Sequence, residues 1–188
     1  MGVKKSLMVV DMPYKTYSTK NLALKNARKI IKETKCDAVK LEGGKKIIKQ
    51  ITYLIQNKIP VMGHLGLLPQ SIKGSFKSKG KNTKEINDLL NDALLLQKKG
   101  VFAIVLECVK TAVSKKITQN LKIPTIGIGS SINCDGQVLV TDDLIGLNET
   151  NIKFVKKFLN IRKFLNLGIK RFASEVRSKK YPTKKYSY

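Results

Sequence analysis

Short apolar runs alternate with amphipathic stretches along most of this chain, and that alternation leaves few folds open. Six runs stand out: Leu7-Met8-Val9-Val10, Ala38-Val39-Lys40-Leu41, Ile59-Pro60-Val61-Met62, Phe102-Ala103-Ile104-Val105-Leu106, Ile123-Pro124-Thr125-Ile126-Gly127-Ile128 and Gln137-Val138-Leu139-Val140. Each is strand-sized and bounded by turn or polar residues, as expected of strands covered on both faces. Between most of them, apolar residues recur at helical spacing. Residues 21–34 carry Leu22, Ala23, Ala27, Ile30 and Ile31 on one side, and residues 45–56 carry Ile47, Ile48, Ile51 and Ile55. Residues 84–98 repeat the pattern with Ile86, Leu89, Leu90, Ala93, Leu94 and Leu96, and residues 112–121 give a shorter version. Strand alternating with helix reads as a parallel α/β fold. From about Thr150 the spacing of Ile152, Val155, Phe158 and Leu159, then Phe164, Leu165, Ile169 and Phe172, predicts helices. A basic tail over residues 177–188 closes the chain without a packing signal. One domain over residues 1–188 is expected.

Several classes are excluded early. No apolar stretch approaches the roughly 18 residues of a membrane span. The first apolar run is too short for a signal-peptide core and is interrupted by Asp11. Cys36, Cys108 and Cys134 are an odd set with no CxxC spacing, which argues against a disulfide scaffold or zinc ribbon and for a reducing cytosol. The net charge of +24 invites a nucleic-acid reading. Only four of the 37 basic residues are Arg, however, and the lysines are spread along the whole chain. With Ile and Asn also abundant, the charge reads first as a lysine-rich solvated surface, of the kind an AT-rich genome writes. A basic nucleic-acid-binding protein is kept as a lesser alternative, to be recognised by steep salt dependence.

The acids say more, because the chain has only 13. The runs lead into Asp11-Met12-Pro13, Glu42-Gly43-Gly44, Gly63-His64-Leu65-Gly66, Glu107-Cys108, Gly129-Ser130-Ser131 and Asp142-Asp143. Acids and the only histidine thus gather at the C-terminal strand ends, the rim where parallel α/β folds build their sites. No GxGxxG opens a helix and no P-loop occurs, so a (β/α) barrel rim fits better than a dinucleotide fold. Asp11 and Glu42, on neighbouring strand ends, suit Mg²⁺ or another oxygen-seeking divalent ion. Lys40 points to the same side as Glu42 and suits a substrate carboxylate. Glu107 ends an apolar strand, where desolvation would favour a base. His64 either bonds substrate or orders a neighbouring acid. Cys108 is the cysteine to watch. Ser130 and Ser131, with Gly127 and Gly129, either cradle an anion or make the turn. Each residue alone also has a plain structural reading, as a helix cap or an exposed lysine. Jointly they describe a metal-assisted enzyme for a small anionic carbonyl compound, with a carboxylate base taking the proton beside the carbonyl.

The strings "VVDMPYKTY", "VKLEGG", "IPVMGHLGLLPQS", "VLECV", "IPTIGIGSSINCDGQVLVTDDLIGL" and "KFVKKF" closely resemble the ketopantoate hydroxymethyltransferase family, in register from about Val3 to the end. The resemblance implies a (β/α)8 TIM barrel of the phosphoenolpyruvate/pyruvate type, assembled into a large cytoplasmic homo-oligomer. It implies transfer of a hydroxymethyl group from methylenetetrahydrofolate to 3-methyl-2-oxobutanoate, giving ketopantoate for pantothenate and coenzyme A biosynthesis. In that chemistry Mg²⁺ chelates the keto acid and a glutamate removes the C3 proton to give an enolate. By motif, Asp11 in "DMP" would bind the metal and the substrate, and Glu42 in "KLEGG" would be a metal ligand. Lys40 would contact the keto acid's carboxylate, and Glu107 in "VLE" would be the proton acceptor. The motif around His64 lines the same mouth with no assigned role.

The resemblance also implies a shortfall. The family barrel opens with two further strands before "DMP", the second ending in an Asp-Ser-Leu-Gly motif that supplies another metal ligand and a substrate-binding serine. This chain shows about six strands, so an N-terminally truncated barrel is expected. An inactive remnant, or the C-terminal subunit of a split enzyme, is the alternative. Smaller departures are Gly129-Ser130-Ser131 for Gly-Ala-Gly, Gly74-Ser75 for a Gly-Gly pair, and Lys110 for a common Pro.

Overall fold

The computed structural model describes residues 5–71, 77–149 and 152–188. Gly74, Ser75 and Thr150, named above, lie outside them. The described residues fall into two compact units, one up to Val138 and one from Leu139 to Tyr188.

The first unit is a parallel sheet with the order β1-β2-β3-β4-β5-β6. Its strands are Val9–Asp11, Ala38–Glu42, Val61–Gly66, Ala103–Glu107, Thr125–Ile128 and Gly136–Gln137. The helices α1 (Lys20–Thr34), α2 (Ile48–Gln56), α3 (Thr83–Lys98) and α4 (Thr111–Asn120) alternate with the first five strands. A doubly wound sheet would reverse its strand order at a switch point. Here every strand lies beside the one before it, which is the order of a (β/α) barrel wall, truncated to six strands among the described residues. The strands fall within a few residues of their expected places.

The sequence explains the elements locally. The Thr19 side chain accepts the Leu22 N–H to start α1, and Lys35, at φ 59°, ends it in the left-handed conformation. The Asn82 side chain accepts the Glu85 N–H at the head of α3. Alternation along the strands then separates two faces. Val39, Leu41, Val61, Leu65, Ile104 and Leu106 turn outward and pack against Ala23, Ala27, Ile51, Leu54, Ala93, Leu96 and Ile117 of the helices. Each large side chain buried there contributes roughly 1.5–3 kcal/mol. The opposite face has only a small apolar patch, Met62, Ala103 and Val105, bordered by Val9, Ile126 and Ile128. The alternate positions on that face, towards the strand ends, are Asp11, Lys40, Glu42, His64 and Glu107.

The second unit holds α5 (Thr141–Leu144) and α6 (Ile161–Arg177). The helix expected to start near Thr150 starts instead at Ile161, where Asn160 accepts the Lys163 N–H. Ile152, Val155, Phe158 and Leu159 lie in turns and coil. The Phe158 N–H donates to the Leu144 carbonyl, and the Ile161 N–H, at the head of α6, to that of Ile145. The basic tail is also more ordered than its composition suggests. Tyr181 packs edge-on against Phe172, with ring centroids 5.4 Å apart, and the Lys180 N–H donates to the Glu175 carbonyl.

Candidate active site

β3 lies inside the sheet, and the only histidine of the chain projects from it. Strand register places His64 beside Glu42 on one side and Val105 on the other, with Glu107 beside Gly66. His64 is 2% exposed, Glu42 6% and Glu107 9%, so three titratable side chains share one largely dry pocket.

The contacts form a line across four strands. Lys40 Nζ lies 2.7 Å from Asp11 Oδ2 and 3.1 Å from His64 Nδ1. His64 Nε2 lies 3.3 Å from Glu107 Oε2, and Nδ1 stands 3.9 Å from Glu42 Oε1, too far for a hydrogen bond. Asp11 is the wettest member, with its side chain 47% exposed. Burial pushes the Glu42 carboxyl above the ordinary carboxylate range, against the opposing pull of the Gln70 N–H and of the Lys40 ammonium. Asp11, a second negative charge nearby, adds to the rise.

Two residues of this site escape a reading of charges alone. The Gln70 backbone N–H donates to Glu42 Oε2 at 3.1 Å, while its side-chain amide donates to the Met12 carbonyl. The Tyr17 hydroxyl donates to Gln70 Oε1, and burial raises the phenol above its ordinary value. Gln70 thereby ties the loop after β3 to the ends of β1 and β2. The signal in the sequence was the "LPQS" following "GHLG", whose polar residues carry no charge.

Other candidates do not join the group. Asp142 and Asp143 belong to the second unit, where Asp143 Oδ1 accepts from Asn148. Ser130 Oγ donates to the Val109 carbonyl and bonds Ser114 Oγ, and Ser131 Oγ accepts the Asn133 N–H. These serines are engaged in making the turn. Cys108 has φ 51°, and burial with the neighbouring Glu107 charge pushes its thiol up to about 11. A thiol so protonated is a poor nucleophile.

Can this group hold a divalent ion? Among the described residues no three His, Cys, Asp or Glu side chains cluster closely enough to cage a metal. Glu42 and Asp11 nevertheless offer hard carboxylate oxygens, and the Asp11 charge adds to the rise of the Glu42 carboxyl. Mg²⁺ commonly takes one or two protein carboxylates and completes its shell with water and substrate oxygens. Asp11 and Glu42 are two carboxylates of the kind such a partial shell uses.

A barrel wall with buried carboxylates, a lysine and a histidine at its C-terminal rim has the layout of the (β/α)-barrel enzymes, which build their active sites there. The family profile described as ketopantoate hydroxymethyltransferase matches residues 1–184, and the chain belongs to that family of transferases. The 3-methyl-2-oxobutanoate hydroxymethyltransferase of Pelagibacter ubique (strain HTCC1062) is 60% identical over 188 residues, all of this chain and 73% of that protein. Its namesake in Clostridioides difficile (strain 630) is 46% identical, covering all of this chain and 70% of that protein. Among solved structures, an N-acetylneuraminate lyase from Mycoplasma synoviae overlaps 64% of this chain and 45% of its own, at 12% identity and TM-score 0.45, too loosely to add to the strand order. No described helix is long and apolar enough to cross a membrane.

Proposed function

We propose that this chain transfers a hydroxymethyl group from methylenetetrahydrofolate to 3-methyl-2-oxobutanoate, forming ketopantoate for pantothenate and coenzyme A biosynthesis in the cytoplasm, as a homo-oligomer. One observation carries the reading. A buried carboxylate, Glu107, and an ammonium, Lys40, flank the same histidine on the concave face of a barrel wall.

The substrate needs a cationic anchor for its carboxylate and a base for its C3 proton. Lys40 supplies the anchor, held in place by Asp11. Glu107 supplies the base. Its burial strips water from the carboxylate and leaves it free to accept a proton from carbon. Asp11 and Glu42 are the residues that would hold a divalent cation, which when bound polarises the carbonyl beside C3. The C3–H bond breaks with its proton passing to Glu107, a C3–C bond forms to the one-carbon unit as its two C–N bonds to the folate break, water supplies the hydroxyl, and the proton from C3 and one from water end on the two nitrogens of the departing tetrahydrofolate. Tyr17 and Gln70 keep the loop after β3 closed on Glu42.

Exchange of the C3 proton of 3-methyl-2-oxobutanoate in deuterated buffer, followed by proton NMR without folate, isolates the base step. Glu107→Gln is expected to slow it by about 10²–10⁴-fold with the fold retained. Exchange at the wild-type rate in that variant would remove Glu107 from the role.

A further inference from the structure

His64 takes no part in the chemistry just described, yet it is the most buried polar group of the site. Its two ring nitrogens face different partners. On one side stands the Lys40 ammonium, 3.1 Å from Nδ1. An ammonium has three donors and no acceptor, so Nδ1 must receive the bond and cannot carry a proton. The neutral ring then carries its proton on Nε2. That nitrogen lies 3.3 Å from Glu107 Oε2, but its N–H is not aligned on the oxygen. Among the described residues it is the one buried side-chain polar atom with no hydrogen-bond partner. A buried donor left idle beside a carboxylate is one small rotation from a bond. Catalytic hydrogen bonds are commonly loose in the free enzyme and tighten in the complex.

We infer that His64 is a positioning residue: Lys40 fixes it in the Nε2–H tautomer, and Nε2–H steers the Glu107 carboxylate by bonding Oε2, leaving Oε1 to take the C3 proton. The inference rests on Glu107 being the base. It makes Asp11, Lys40, His64 and Glu107 one unit, joined by contacts of 2.7, 3.1 and 3.3 Å. The anchor for the substrate carboxylate and the base for its C3 proton are then set together. Nδ1 is occupied by Lys40, and Glu42 is too distant to compete for it.

The chain has a single histidine, so its ring nitrogens give one unambiguous signal. The full chain labelled with ¹⁵N-histidine is expected to show a protonated Nε2 and a bare Nδ1 at pH 7.5. Lys40→Met is expected to release that preference and give a mixture of tautomers. A protonated Nδ1 in the wild-type chain, alone or in a doubly protonated ring, would overturn the inference, and no turnover is needed to see it. The same keto-acid exchange assay gives the second arm. In His64→Asn the amide reaches only the Nδ1 position, and exchange is expected to fall about 10–100-fold with KM changed less than about threefold. In His64→Gln the amide N–H₂ approaches the Nε2 position, and the rate is expected to return to within about fivefold of wild type. Equal losses in both variants, or wild-type exchange in His64→Asn, would count against positioning. Wild-type exchange in Glu107→Gln would instead remove the base assignment and leave the tautomer standing.

Discussion

Gly66 offers a test that joins stability to chemistry. It ends β3 at φ +97°, and a Cβ built there would stand 2.2 Å from the Glu107 carbonyl oxygen and 2.6 Å from Val109 Cγ2. Both distances lie far inside any real contact. The carbonyl cannot simply swing away, because it accepts the Leu67 N–H at 2.8 Å. Gly66→Ala therefore meets three costs. The left-handed backbone strains alanine by about 1–3 kcal/mol. Pushing strands apart in a packed wall costs about 1–3 kcal/mol, and the weakened hydrogen bond about 1 kcal/mol more. We expect a loss near 4 kcal/mol by urea denaturation, and a melting temperature about 10 °C lower. The displaced backbone belongs to Glu107 itself, so a shift on the order of 1 Å should slow C3 proton exchange about 10²-fold in the molecules that stay folded. Gly168→Ala is the matched control. Its Cβ meets nothing within 4 Å in the middle of α6, and the change should stabilise that helix by about 0.8–1 kcal/mol. A Gly66→Ala chain within about 1 kcal/mol of wild type, exchanging C3 protons normally, would refute the reasoning.

Other outcomes follow from the site's electrostatics. Burial holds the Glu42 carboxyl above its ordinary value of 4.5, so the fold favours its neutral form. Its stabilising contribution is therefore full below the ordinary carboxylate range and is lost as pH rises through the raised value. Glu42→Gln, still able to accept the Gln70 N–H, should melt higher than wild type at pH 7.5, with the gap closing near pH 4. Millimolar Mg²⁺ should narrow that gap by stabilising wild type alone; a variant less stable at pH 7.5 would contradict the argument. With its thiol near 11, Cys108 should react with iodoacetamide at pH 8 about 200-fold more slowly than a free cysteine. Rapid labelling mapped to that residue by mass spectrometry would show an activated thiol.

The parallel wall was legible because period and length separate strands from helices, and both signals survive a lysine-rich surface. The rim residues were legible because acids are scarce and each candidate ends or lies near the end of a strand. What joins them was harder to see. Lys40 was expected to await a substrate carboxylate, whereas in the folded chain it already bridges Asp11 and His64. Spacing along a strand shows the direction of a side chain but leaves its partner one strand away unnamed. Gln70 escaped because a neutral amide acts through geometry, and its backbone N–H has no sequence signature at all. The helix expected from Ile152 failed for a related reason. Periodicity records apolar spacing, while the Phe158 N–H in that stretch is bonded to the Leu144 carbonyl at the end of α5.

The strand order carries one more consequence. Glu42, His64 and Glu107 sit on β2, β3 and β4, each paired along both of its flanks. Amides of β3 and β4 should therefore be among the last in the sheet to trade their protons for deuterium, and the proton-abstracting end of the site should stay assembled through local opening elsewhere.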